Sequence, residues 1–314
     1  MKLKKIAAIV VAIALVTSVC GAFPISAVEN LPGTQENPIP IECGDEPLFL
    51  NSGWYVVGDV VEREDVIHIN ENAEVNLIIS GGGQLGIFAD GTGIQIRENA
   101  TLNVFGEGGL WVQCMYGIRI LDGGVLNMAN QQFGASVSHV GIQNTNGGTV
   151  ILSVDEVFIL SQSTGISNDG TFIFDSGYFI VDAGSDAIFN GTSGILNING
   201  DTVVLRGEYN GIVNISGDVN IDGGDVTITG GNFAVYGTVN ITSGATIVWS
   251  RVDGAEFESG DINWSEAKFV NISFTPHTGL ANMTGYAFAA IMLFAGAIGL
   301  FVVYAKRTRR ENNI

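Results

Sequence analysis

The chain has 314 residues, is 46% hydrophobic and only 14% charged, and contains 43 glycines, whereas an ordinary globular domain is about 25% charged. Its net charge of −19 understates the acidity of its middle, because residues 28–278 hold 31 acids against six bases (Arg63, Arg97, Arg119, Arg206, Arg251 and Lys268), a net of −25. That balance excludes a nucleic-acid binder, which needs clustered Lys and Arg to displace counterions from phosphates; the Gly-, Val-, Thr- and Asn-rich remainder suits many short strands joined by tight turns.

Residues 1–27 have the pattern of an export signal. Lys2, Lys4 and Lys5 supply the positive end, Ile6 to Val19 the apolar run, and Ile25-Ser26-Ala27 a small-residue cleavage site, with cleavage after Ala22 as the alternative. Residues 28–52 form an acidic lead-in bearing Pro32, Pro38, Pro40 and Pro47. It is expected to cover the first repeat, since an end turn otherwise presents unpaired backbone groups. With Cys20 in the leader, Cys43 and Cys114 remain; they either pair in an oxidising compartment or serve as small buried hydrophobes.

Residues 53–254 repeat. The phrase aliphatic-Asn-aliphatic centres on Asn76, Asn103, Asn127, Asn197, Asn220 and Asn240, and Ile151 and Ile173 hold the same phase without the amide. These centres step by 27, 24, 24, 22, 24, 23 and 20 residues. A second marker, Gly-Ile, begins at Gly93, Gly117, Gly141, Gly165 and Gly211 and softens to Ala187-Ile188 and Ala234-Val235. A fixed period of this size marks one supersecondary unit stacked on copies of itself. Each period holds three short strands and three turns, which predicts an all-β fold, a right-handed parallel β-helix of about eight rungs and roughly 40 Å. The alternation predicts that Ile67, Ile69, Val75 and Leu77 face inward and that Ile94, Ile118, Ile142 and Ile166 stack. The Asn column, flanked by inward aliphatics, is expected to face out as a ladder of amides.

Residues 255–274, with Trp264, Phe269 and Ile272 at irregular spacing, are expected to cap the lower end. Residues 275–314 bring Thr275-Pro276-His277-Thr278-Gly279, an apolar run at 286–305 long enough to span a bilayer, and the basic tail 306–314.

That C-terminal order resembles a sortase sorting signal of Gram-positive bacteria, with Thr275 where Leu or Asn is usual. The resemblance implies cleavage between Thr278 and Gly279 and attachment of Thr278 to peptidoglycan; an uncleaved membrane anchor is the alternative. The repeat region resembles the β-helical domains of bacterial cell-surface, adhesin-like proteins, which implies a binding or structural module at the envelope with glycans or a neighbouring surface as partner. The same scaffold carries polysaccharide lyases and hydrolases, the alternative reading.

Counting five residues back from each repeat centre gives Glu71, Glu98, Asp122, Asn146 and Asn168. Stacked in register, the three carboxylates at one turn are candidate Ca²⁺ ligands, the only cofactor the sequence suggests. For catalysis, Arg97 and Arg119 sit on neighbouring rungs and Asp222 and Asp225 form a pair in a Gly-rich turn, while His68, His139 and His277 are scattered; no catalytic set is assigned. Trp111, Tyr116, Tyr178, Tyr209 and Trp249 are the candidates for stacking on sugar rings.

Overall fold

The computed structural model describes residues 33–175, 177–251, 258–259 and 262–274. The export signal at 1–27, the sorting pattern Thr275, Pro276, His277, Thr278 and Gly279, the apolar run and the basic tail lie outside the described residues. Among the described residues no helix is long and apolar enough to cross a membrane.

The strands wind into a parallel β-solenoid of about eight turns. Every turn has three faces, and each strand pairs with the strand one turn on. The first face carries the Asn phrase, starting at Gly53–Val57 and Glu74–Ile79. The second starts at Val60–Arg63 and Gln84–Phe88, and the third, with the Gly-Ile marker, at Ile67–Ile69 and Thr92–Ile96. In two successive turns the strand runs unbroken round the corners, as Thr101–Ile120 and Val125–Asn144.

Register follows the sequence phrase. Asn76 pairs with Asn103, then Asn127, Ile151, Ile173, Asn197, Asn220 and Asn240, with Trp54 ahead of them all. The Gly-Ile column aligns as well, from Ile67 through Ile94, Ile118, Ile142, Ile166, Ile188 and Ile212 to Val235. All eight of these side chains are buried, as are Ile69, Val75 and Leu77. Burying one such side chain is worth about 1.5–3 kcal/mol, so the column is a continuous source of cohesion between turns. Glycine precedes the Ile because the interior is full: a Cβ on Gly141 would overlap Ile159 from the second face and approach the Gly165 carbonyl oxygen at 2.7 Å.

Two ladders of amides run along the coil. The outer one is the predicted column: Asn103 donates to Asn76 (3.0 Å), Asn127 to Asn103 (2.8 Å), Asn220 to Asn197 (2.8 Å) and Asn240 to Asn220 (3.0 Å). The second lies inside. The third-face column Ile69, Ile96, Ile120 continues as Asn144, Asn168, Asn190 and Asn214, all buried. Each Nδ2 donates to the next Oδ1, over 2.8, 2.8 and 3.0 Å. The same amides reach corner carbonyls, including Gly148, Thr171, Ile195 and Gly194, so the ladder's Nδ2 groups find partners, while Asn144 Oδ1 at its first rung is left without one.

The lead-in is itself a turn. Ile39–Pro40 pairs with Tyr55–Val56, Gly44 bridges to Arg63, and Leu48–Leu50 pairs with Ile67–Ile69. Arg63 is 7% exposed and donates to the carbonyls of Glu42 (3.0 Å) and Glu46, pinning that turn. At the other end parallel stacking stops at Asn240–Ile241. Ala245–Ser250 and Phe269–Phe274 then pair antiparallel, and the latter also closes onto Asp225–Thr229 with Val270 and Ile272 facing inward. Reversing strand direction ends the coil's edge, and Trp249, 3% exposed, packs into this cap. Trp249 is therefore part of the cap and not the exposed sugar-stacking aromatic considered from sequence. A Cys43–Cys114 disulfide is not made either: Cys114 is a free thiol whose hydrogen meets the Tyr116 carbonyl, and burial pushes its pKa up to about 12.

Candidate functional site at the first corner

The corner between the first and second faces varies most in what it leaves uncovered. In one turn it is Ser80-Gly81-Gly82-Gly83, closed by Gly83 N–H donating to the Ser80 carbonyl, with φ of +84° at Gly82. In the next turn Gly106 takes φ of +107°, a conformation that disfavours any side chain. These side-chain-free corners leave a groove of about 530 Å³ across four turns. Glu107 overhangs Gly81, where an added Cβ would lie 3.0 Å from Oε2. Ser153 and Asp155 close the far side.

Asn130, 3% exposed, lies in the groove wall at the position in register with Gly106. Its Nδ2 donates to the carbonyls of Gln132 (2.6 Å) and Gly108 (3.3 Å), and its Oδ1 has no partner in the protein. A buried acceptor left open costs about 1–3 kcal/mol, so this amide is a place where the fold has not satisfied itself. The groove residues include two carboxylates and no base.

The second face adjoins the groove directly. Gln132 follows Gln131 and donates to Glu156 over 2.9 Å. In the next outward column come Gly86, Trp111, Gly134, Phe158, Ile180 and Val204. Trp111 lies against glycines: a Cβ on Gly134 would overlap its ring, and one on Gly109 would sit 2.8 Å from Nε1. Half-buried Trp111 thus presents a flat indole held by backbone on an otherwise ordinary outer face. Phe158 packs beside Tyr178, centroids 6.1 Å apart. At the second corner, burial raises the Asp182 carboxyl, with Arg206 pulling it back and Glu208 adding to the rise.

The other residues singled out from sequence are dispersed. Glu71, Glu98 and Asp122 are exposed at the third corner of successive turns, where the Asn72 N–H bonds the Glu98 carbonyl and the Asn99 N–H that of Asp122. Asn72 and Asn99 both take positive φ there, 57° and 54°. Thr145 donates to Asp122 over 3.0 Å. Asn146 is exposed, but Asn168 belongs to the buried ladder, since the corner from Asn168 to Thr171 is shorter than that from Asn144 to Thr149 and shifts the count. Among the described residues no three His, Cys, Asp or Glu side chains gather at a metal-binding distance. Arg97 lies over the Phe49 ring at 5.4 Å, and Arg119 over Tyr116 while donating to Gln143 at 2.9 Å. Asp222 and Asp225 are held separately, by Thr242 and by Asn271 at 2.7 Å. His68 stacks on Phe49 at 4.7 Å, His139 tilts against Tyr116, and Tyr209 is exposed at the second corner; His277 is outside the described residues.

Sequence reasoning missed two features, the inner ladder and the groove; it named Trp111 as a candidate aromatic but not the glycines that seat its ring. The ladder had a signal, because Asn stands two residues after the marker Ile in Ile142-Gln143-Asn144, Ile166-Ser167-Asn168, Ile188-Phe189-Asn190 and Ile212-Val213-Asn214. Comparison of the chain with protein-family models, with curated proteins and with solved structures finds no match.

Proposed function

We propose that this chain is an exported β-solenoid, anchored at the cell envelope by its C-terminus, that acts as an adhesin-like binding module and takes a glycan along its first corner and second face. The observation that carries the binding reading is the groove of about 530 Å³ whose walls combine Glu107, Asp155 and Asn130 with its unpartnered amide oxygen, the half-buried indole of Trp111 standing four residues on from Glu107. Polar acceptors set beside an aromatic plane are what a sugar ring requires, hydrogen bonds at its edge and apolar contact at its face. Glu107, Trp111 and Asn130 lie on strands of the coil and Asp155 directly before one, so the surface is formed before the ligand arrives.

The address rests on sequence alone: the signal-like residues 1–27 and the sorting pattern Thr275 to Gly279 before the apolar run. A rod of roughly 40 Å, joined to that pattern directly after the cap strand Phe269–Phe274, works at or within the envelope and not as a long stalk. Two measurements test the reading. The full chain is passed over a panel of immobilised glycans; retention without new reducing ends supports a binder, turnover sinks it in favour of an enzyme, and no retention removes the glycan. Envelopes are extracted with detergent with and without muramidase; release by detergent alone rules out covalent attachment to peptidoglycan.

A further inference from the structure

The groove is one-sided in charge, with two carboxylates and no base, while Gln131 and Ser153 add neutral polar groups to its lining. Glu107 and Asp155 offer only acceptors when ionised. Asn130 has committed its N–H groups to Gln132 and Gly108 and keeps a carbonyl oxygen with no protein partner. Two residues further along the same strand, Gln132 has committed a donor to Glu156. No Lys, Arg or His lines the groove, and the surrounding body from residue 28 to 278 carries −25. An occupant with phosphate, sulfate or carboxylate groups would therefore bring negative charge to a negative field. An occupant with positive charge would meet both carboxylates.

The extent of the surface sets the occupant's size. Glu107 and Trp111 are four residues apart along one strand that rounds the corner between them, at most about 13 Å at 3.3 Å per residue. Glu107 and Asp155 stand two turns apart, about 10 Å at the inter-strand spacing. A single sugar does not reach both the carboxylates and the indole, so the site fits an oligomer.

Resting on the glycan-binding reading above, we propose that the ligand is an amino sugar polymer with free ammonium groups, its charged groups in the corner between Glu107 and Asp155 and a sugar ring over Trp111. The carboxylates select the amine, and the indole, indifferent to charge, supplies affinity for the ring.

The test titrates the full chain, followed by its tryptophan fluorescence and by calorimetry, with free-amine glucosamine oligomers, their N-acetylated counterparts and oligogalacturonate. The variants are Glu107→Gln with Asp155→Asn, and Trp111→Ala. The carboxylates are exposed, so the double variant should melt as the wild type does. The amine oligomer is expected to bind tightest and oligogalacturonate not at all. The double variant should weaken the amine oligomer roughly tenfold or more, the scale of one partly solvated charge contact, and leave the N-acetylated one unchanged. Trp111→Ala should weaken both. Equal affinity for the amine and N-acetylated oligomers, unchanged in the double variant, would overturn the amine preference while leaving glycan binding in place. Amine binding that survives both variants and disappears only with salt would show diffuse adsorption to the acidic body and overturn the site. Binding of none of the three would remove the glycan reading as well.

Discussion

Replacing Asn168 by Ala cuts the inner ladder at its middle. The native amide accepts from Asn144 (2.8 Å) and the Gly170 N–H (3.3 Å) and donates to Asn190 Oδ1 (2.8 Å) and to the Ile195 carbonyl (3.2 Å), with the residue fully buried. Without it, Asn190 Oδ1 and the Ile195 oxygen lose this donor where water does not reach, while Asn144 Nδ2 keeps the carbonyls of Gly148 and Thr171. The two acceptors alone, at about 1–3 kcal/mol each, give a loss of about 2–6 kcal/mol, and the Gly170 N–H loses its Asn168 acceptor as well. For a coil of this size that corresponds to a fall in Tm of about 5–20 °C. Asn103→Ala breaks just as many rungs of the outer ladder, but its half-buried partners Asn76 and Asn127 recover water, so its loss should stay below about 1 kcal/mol. Thermal and urea melts followed by circular dichroism compare the two. Equal losses, or an Asn168→Ala loss under about 1 kcal/mol, would refute the claim that burial gives the inner ladder its weight.

Gly141→Ala should cost about 1–3 kcal/mol by overpacking against Ile159 Cγ2 and the Gly165 carbonyl, and it should cost less in an Ile159→Ala background, which removes that Cγ2, in the same melts. His68 is held below its ordinary pKa by burial first and then by Arg97, with Gln95 and Asp65 opposing. Its stabilising contribution is therefore full above the unfolded value near 6.5 and is lost as pH falls through it, so the wild type should lose Tm relative to His68→Gln between about pH 7 and about pH 5. Asp182 behaves in the opposite sense: burial raises it, so the charged form is disfavoured in the folded state and stability falls as pH rises through the carboxylate range. Asp182→Asn should melt higher than wild type near pH 7 and converge with it near pH 4. Cys114, with its pKa pushed to about 12, should resist iodoacetamide in the native chain and react on unfolding, read by peptide mass mapping.

The period, the inward alternation and the outer Asn column were legible because each repeats within a strand, where side chains alternate with strict period two. Corners obey no such rule. Counting across the third corner placed Asn168 with Glu71, Glu98 and Asp122, yet the corner after Asn168 is two residues shorter than that after Asn144 and the strands beyond it hold register regardless. The cap was located by the loss of period near Trp264, but the antiparallel return of Phe269–Phe274 onto Asp225–Thr229 leaves no repeat to read. The groove was illegible for a related reason. Gly81, Gly82 and Gly106 look like ordinary turn residues, and only stacking turns side-chain-free corners on one another opens a space beneath Glu107. Trp111 stood out as an aromatic, but that it lies flat depends on Gly109 and Gly134 in its own and the following turn.

The binding surface is the central claim, and mapping the ligand on the chain tests it most directly. Amide chemical shifts recorded during titration with a free-amine glucosamine oligomer should move at Glu107, Trp111, Asn130 and Asp155, which span three turns at one corner and the face beside it. Shifts confined to the third face or the cap, or spread evenly over the acidic body, would contradict it.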